Sequence, residues 1–74
     1  MLFEVRCYYK NRENENSLID KECSVNAREI ADEQVEQFIN LFEAMGMTRH
    51  ETKSQIFYDT IIDARHSTEY IFYK

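Results

Sequence analysis

One amphipathic segment near the middle of the chain constrains the fold more than any other feature. Apolar residues recur there at spacings of four and three, at Ala31, Val35, Phe38, Phe42 and Met45. This spacing places them on one face of an α-helix and predicts a helix from about residue 27 to residue 45. A helix with one apolar face must pack against another layer, so the flanking segments have to supply that layer.

The sequence also marks both ends of the predicted helix. Asn26 is a favourable N-cap residue, and Glu29 follows three positions later, which is the spacing of a capping box. Gly46, the only glycine, stands where helices commonly end with a residue in the left-handed conformation. Met47 is then expected to pack back on Phe42, the apolar contact that accompanies this ending.

The segment before the helix has the pattern of a β-hairpin. Residues 2 to 10 alternate, and one side of the predicted strand carries Phe3, Val5, Cys7 and Tyr9. The polar, asparagine-rich stretch 11–17 predicts a turn. A second alternating stretch predicts a returning strand over about 18–25.

The segment after the helix allows two interpretations. Five residues would fit one face of a second helix: Ile56, Phe57, Thr60, Ile61 and Ala64. The β-branched and aromatic residues of 56–62 and 70–73 instead favour a second hairpin. We therefore predict a single α+β domain over residues 1–74, in ββαββ order, with the helix on one face of an antiparallel sheet, while 49–66 could be partly helical.

Composition excludes several classes of function. The formal charge is −5 and the pI about 4.9, which disfavours direct binding to nucleic acid or to anionic membranes. The chain has no run of about 18 apolar residues and no basic, apolar leader at its start, so we expect an intracellular, cytoplasmic protein. Two cysteines in 74 residues agree with a reducing compartment.

No motif for catalysis or for a cofactor stands out. Four residues carry side chains that zinc accepts, namely Cys7, Cys23, His50 and His66. None of these residues forms a closely spaced pair of the kind found in zinc sites, and Gly-rich phosphate loops are absent. Asp59 and Asp63 lie four positions apart, but close acidic pairs arise by chance in a chain with 14 acids. We expect neither an enzyme, a metal site nor a bound cofactor.

The distribution of acidic residues is the most informative functional feature. From Glu13 to Glu43 nine acids stand against two basic residues, and no Lys or Arg occurs from Glu29 through Thr48. We expect a partner-binding acidic face formed by Glu29, Asp32, Glu33, Glu36 and Glu43 on the helix and by Asp20 and Glu22 on the second strand. The alternative is a solvated acidic face that only keeps a small protein soluble.

In size, acidity, absence of proline and the Asn/Glu-rich stretch 11–17, the chain resembles the small proteins that bacteriophages encode to inhibit host machinery, among them anti-CRISPR and anti-restriction proteins. The resemblance is one of composition and transfers no residue. Together with the predicted acidic face it implies a non-enzymatic inhibitor whose helix face occupies a basic nucleic-acid-binding surface. It also implies a location in the cytoplasm of a bacterium or a phage-infected host cell. The expected partner is a basic protein such as a nucleic-acid-handling enzyme.

A second hypothesis places the contact surface on the sheet. Tyrosine is enriched at protein interfaces, and the outer face of the predicted sheet is expected to present Tyr8, Tyr70 and Tyr73. The C-terminal strand is also expected to form an exposed edge that can pair with another strand. On this interpretation the protein is a homodimeric structural or adaptor module.

Overall fold

The computed structural model describes residues 1–10, 20–63 and 65–74, with the backbone alone for residues 10 and 20–25. Within these ranges the elements are β1 (Leu2–Lys10), β2 (Asp20–Glu29), α1 (Asp32–Ala44), β3 (His50–Glu51), β4 (Gln55–Ile61) and β5 (His66–Tyr73). The predicted α+β class and ββαββ order are confirmed, with the two-residue β3 as an addition. The predicted turn over 11–17 lies outside the described residues.

The strands form one antiparallel sheet in the order β2-β1-β5-β4-β3. The prediction that the C-terminal strand lies at an edge is wrong, because β5 is the central strand and pairs with both β1 and β4. Ile71 and Phe72 point to opposite faces of β5, and both are buried, at 4% and 0% exposure. A strand with buried apolar residues on both faces belongs in the middle of a sheet.

The helix covers one face of this sheet, as predicted. Phe3, Phe72 and Ile56 are cross-strand neighbours on the covered face, and all three are buried. Val35 and Phe42 of α1 join the same core cluster. The inward side of β1 is thus correctly predicted at Phe3, where the ring centroid lies 4.7 Å from that of Phe72.

The start of the helix differs from the prediction. α1 begins at Asp32, because residues 27–29 continue β2 and pair with β1 as far as Leu2. Ile30 is buried at the corner, and its N–H donates to the carbonyl of Met1 at 3.0 Å. The predicted Asn26 capping box is wrong, since strand pairing and the burial of Ile30 outweigh a local cap. The backbone N–H of Ala31 donates instead to Oε1 of Gln34 at 3.2 Å.

The end of the helix agrees with the prediction. Gly46 has a φ of 80° and is the C′ residue after the C-cap Met45. The N–H of Met47 donates to the carbonyl of Phe42, and the N–H of Gly46 donates to that of Glu43, both at 3.0 Å. These two bonds define a Schellman motif, and Met47 packs against the core cluster that contains Phe42.

The second hairpin is confirmed, and the helical alternative for 49–66 is wrong. β4 and β5 pair from Gln55 with Tyr73 to Ile61 with Ser67. The connecting turn is held by Asp63, whose Oδ1 accepts from the N–H of Arg65 at 2.8 Å and from that of His66 at 2.9 Å. These bonds occur in a turn, where Asp commonly binds its own backbone.

Replacement of Gly46 by alanine is expected to destabilise the domain by about 1–2 kcal/mol, because an L-residue is strained in the left-handed region. An added Cβ would have no other atom within 4 Å, so the loss of unfolding free energy would come from backbone conformation alone. Urea unfolding of Gly46→Ala measures it. The control is Gln37→Ala on the exposed side of α1, for which we expect a change within about 0.5 kcal/mol. Equal stability of Gly46→Ala and wild type would contradict this role.

Candidate interaction surfaces

The acidic residues of α1 lie on the side of the helix away from its buried positions. Asp32 and Glu36 are four residues apart and therefore share one side of the helix, with Glu33 beside them. All three side chains are exposed. Among the described residues no cationic group lies within 4.0 Å of these carboxylates. We call Asp32, Glu33 and Glu36 the acidic flank.

Glu43, predicted for the same surface, is engaged within the domain. Its Oε1 accepts a hydrogen bond from the hydroxyl of Tyr58 at 3.2 Å and lies 3.8 Å from Nη1 of Arg49. Burial of the Tyr58 ring, followed by the hydrogen bond to Glu43, raises the pKa of the Tyr58 hydroxyl. Glu43 thus joins the end of α1 to β4. Among the described residues, the helix carboxylates that have no cationic partner lie nearer the start of α1.

Glu29 is not on the helix, which corrects the sequence-based stripe. It is the last residue of β2, and its carboxylate lies 3.1 Å from the amine of Met1. It is nevertheless exposed, three positions before Asp32.

The acidic residues at the other end of β2 do not join the acidic flank. Asp20 and Glu22 have their backbones placed opposite Lys10 and Tyr8. Asp20 is nine residues before Glu29, and an extended strand covers about 30 Å over that length. Asp20 and Glu22 therefore do not form one compact surface with the acidic flank.

The other face of the sheet carries no helix and is organised around a buried carboxylate. Glu4 is 8% exposed, and its Oε1 accepts from Nε of Arg6 and from the hydroxyl of Tyr73, the latter at 2.7 Å. The hydrogen bond from Arg6, and then that from Tyr73, lowers the pKa of Glu4. The same contact with Glu4 raises the pKa of Tyr73. Sequence reasoning missed this cluster, although Glu4 and Arg6 stand two apart on the outward side of β1.

The three tyrosines of the alternative interface separate in the structure. Tyr8 and Tyr73 lie on the open face and are half-buried. Tyr70 lies on the covered face, where its ring centroid is 4.7 Å from that of Phe42. The predicted placement of Tyr70 on the outer face of the sheet is therefore wrong, because residues 70 and 73 of one strand point to opposite faces.

Other polar clusters of the described residues are small. His66 and Asp63 interact at 2.9 Å beside the hairpin turn, where backbone N–H groups, first that of Arg65, lower the pKa of Asp63. His50 stacks on Phe57 with ring centroids 4.8 Å apart. Within the described ranges no three His, Cys, Asp or Glu side chains come close enough to hold a metal ion.

Comparisons with protein families, curated proteins and solved structures gave no match for this chain. In the part of the chain that the structure describes, no helix has the length and apolar character needed to cross a membrane.

The Glu4 cluster predicts a component of acid sensitivity. Since its folded-state pKa is lowered, ionised Glu4 stabilises the fold above about pH 4.3, the ordinary value for glutamic acid, and this contribution is lost as the pH falls below it. We expect Glu4→Gln to cost roughly 1–2 kcal/mol at pH 7 and to show a shallower loss of stability between pH 5 and pH 3. Denaturant unfolding across this range measures both effects.

The control for this experiment is Glu33→Gln, which neutralises an exposed carboxylate outside the cluster. We expect its unfolding free energy at pH 7 to lie within about 0.5 kcal/mol of the wild type. If Glu4→Gln kept the full acid dependence of the wild type, the Glu4 cluster would not be its source.

Proposed function

We propose that this protein is a small non-enzymatic binding module whose acidic flank occupies a basic, nucleic-acid-binding surface of another protein. The observation that carries the proposal is the set of exposed carboxylates of Asp32, Glu33 and Glu36, which have no cationic partner among the described residues. Unpartnered charges of one sign attract a surface of the opposite sign and speed association with it.

Rigid support of the acidic flank favours binding. The opposite side of α1 is held in the core by Val35 and Phe42, which are 8% and 6% exposed. The positions of the carboxylate-bearing backbone are therefore fixed before a partner arrives, and little ordering free energy is required on binding.

Local electrostatics in α1 also support the proposal. Asp32 and Glu36 are a like-charged pair at i,i+4, which destabilises a helix by roughly 0.2–0.5 kcal/mol. Asp32 and Glu33 in the first turn interact favourably with the helix dipole, but Glu36 lies beyond that turn. A cationic surface bound at the acidic flank would relieve this repulsion. Relief of the repulsion would then contribute favourably to the free energy of binding.

A basic surface that binds this flank would also bind a polyanion. Duplex nucleic acid has closely spaced phosphates, and a helix with a row of carboxylates competes with it for the same Lys and Arg side chains. The compositional resemblance to phage-encoded inhibitors supports the same direction, with the bacterial cytoplasm as the place of action. The partner class is therefore a basic protein that handles nucleic acid.

The test neutralises the acidic flank with isosteric side chains. Asp32→Asn, Glu33→Gln and Glu36→Gln are combined, and immobilised protein is used to capture partners from nuclease-treated bacterial lysate. We expect a nucleic-acid-binding protein to be retained by the wild type, to be lost from the triple variant, and to be displaced by salt or by added duplex DNA.

The matched control carries the same change of charge elsewhere. Asp59→Asn, Glu51→Gln and Glu69→Gln neutralise three acids of the sheet and should retain the partner. Circular dichroism checks that both variants fold. Equal capture by wild type and the flank variant would contradict the proposal, as would equal loss in both triple variants.

Self-association as a structural or adaptor module is the second candidate function. Large apolar side chains that are more than one third exposed favour it, and these are Leu2, Leu41, Met45, Ile61 and Ile62. Stacking two open faces would bring together Glu4, Arg6 and Glu69 with their counterparts, and buried charges are costly unless fully paired. The surface for self-association therefore has to be sought away from the middle of the open face.

A further inference from the structure

The outer edge of β4 is only partly covered by its neighbour. β3 pairs with β4 at two positions, His50 with Phe57 and Glu51 with Ile56. Residues 58–61 of β4 continue beyond this pairing, and among the described residues no strand lies on their outer side. This segment is a free sheet edge at the end of the sheet opposite β2.

The direction of the backbone groups along this edge follows from two hydrogen bonds. The carbonyl of Gln55 accepts from the N–H of Thr52 at 2.8 Å, so the backbone N–H and C=O groups of the odd-numbered residues of β4 point toward the outer edge. The N–H of Ile62 donates to the carbonyl of His66 at 2.9 Å, so the backbone groups of the even-numbered residues point toward β5. Asp59 and Ile61 consequently present their N–H and C=O groups outward, beyond the end of β3.

The side chains at this edge are unusually apolar. Ile61 is 83% exposed and Ile62 is 65% exposed. Natural sheets protect their edges with charged residues, and β2 at the opposite edge has five of them, Asp20, Lys21, Glu22, Arg28 and Glu29. The free part of β4, residues 58–61, has one charged residue, Asp59.

We infer that this edge pairs with the same edge of a second copy of the chain, antiparallel about a two-fold axis at Thr60. In this register Asp59 lies opposite Ile61 of the second copy and exchanges both backbone hydrogen bonds with it. The two-fold axis repeats these bonds, and the two sheets join into one continuous sheet. The two Ile61 side chains become diagonal neighbours on the open face, within reach of one another.

Neighbouring registers are disfavoured, which makes the second copy a specific occupant. A shift by two residues in one direction would place Asp59 opposite Asp63 of the second copy, and two carboxylates in that position repel. A shift in the other direction would use the outer edge of Phe57, which His50 already occupies. Only the register centred on Thr60 uses free backbone groups and places no two carboxylates directly opposite each other.

The net charge of the chain determines how the dimer should respond to salt. Each chain carries a formal charge of −5, so two copies repel, and added salt should strengthen the dimer by screening that repulsion. Capture of a basic partner by the acidic flank should instead weaken with salt. The opposite salt dependence separates this inference from the proposed function, and either one can fail without the other.

The test is sedimentation equilibrium of wild type and two glutamate variants from about 10 µM to 1 mM, since an interface this small is expected to be weak. We expect a wild-type dimer with a dissociation constant within this range and an increase of at least tenfold in Ile61→Glu, which places a carboxylate opposite Asp59 of the second copy. Leu41→Glu, at a 53% exposed position of α1, adds the same charge away from the edge and is the matched control, which should dimerise much as the wild type does. Circular dichroism excludes unfolding of either variant.

A cross-linking experiment tests the register itself. Thr60 would face its own copy across the axis in a non-hydrogen-bonded pair with Cα atoms about 4.5 Å apart, a separation that a disulfide can span. Thr60→Cys treated with oxidised glutathione should give a covalent dimer in at least tenfold excess over the exposed Lys53→Cys. Wild type treated in parallel accounts for Cys7 and Cys23.

Four results would overturn the inference. They are a strictly monomeric wild type at 1 mM, an unchanged dimer in Ile61→Glu, equal cross-linking of the two cysteine variants, and loss of the dimer in Tyr8→Lys alone. The last result would assign self-association to the open face instead.

Discussion

The packing of α1 on the two central strands is the interaction on which the rest of the structure depends. Phe3 of β1 stacks on Phe72 of β5 with centroids 4.7 Å apart and on Phe38 of α1 at 5.0 Å. Phe42 extends the contact to Tyr70, also at 4.7 Å. Loss of one such buried ring typically costs about 3–5 kcal/mol, a large part of the stability of a small domain. This aromatic cluster fixes which side of the helix meets solvent, and with it the position of the acidic flank.

The distribution of cations leaves that flank uncompensated. Arg6 pairs with Glu4 on the open face, Arg49 with Glu51 and Glu43, and Lys74 with Glu51. The pair of Arg49 with Glu43 joins the helix end to the segment before β3, and the pair of Lys74 with Glu51 joins the end of the chain to β3, whereas Arg6 and Glu4 both lie in β1. All of these pairs use acids outside the acidic flank, whose carboxylates have no cationic partner within 4.0 Å among the described residues.

Sequence periodicity predicted the parts of the fold that depend on local chemistry. The strand at 2–10 and the glycine ending at Gly46 follow from alternation and from backbone conformation, and both agree with the structure. The predicted start of the helix was wrong because residues 27–29 pair with β1. This pairing is a non-local interaction, which the pattern of capping residues does not indicate. The central position of β5 has the same origin, since strand order depends on contacts between distant segments.

For the candidate sites, the sequence located the acidic residues but not their partners. Glu43 had the same apparent role as Glu36 until the structure placed Tyr58 and Arg49 beside it. The sequence also did not predict the free edge at Ile61, because its exposure depends on the short length of β3. The functions of the acidic flank and of the edge therefore follow from which residues the fold leaves without a neighbour.

The most direct measurement is a backbone-amide NMR titration of the labelled protein with an arginine- and lysine-rich peptide at low and at moderate salt. If the acidic flank is a binding surface for basic partners, the shifts should concentrate in residues 32–36 of α1 and diminish with salt. Shifts spread evenly over exposed acids such as Asp59 and Asp63, with no preference for α1, would contradict the account.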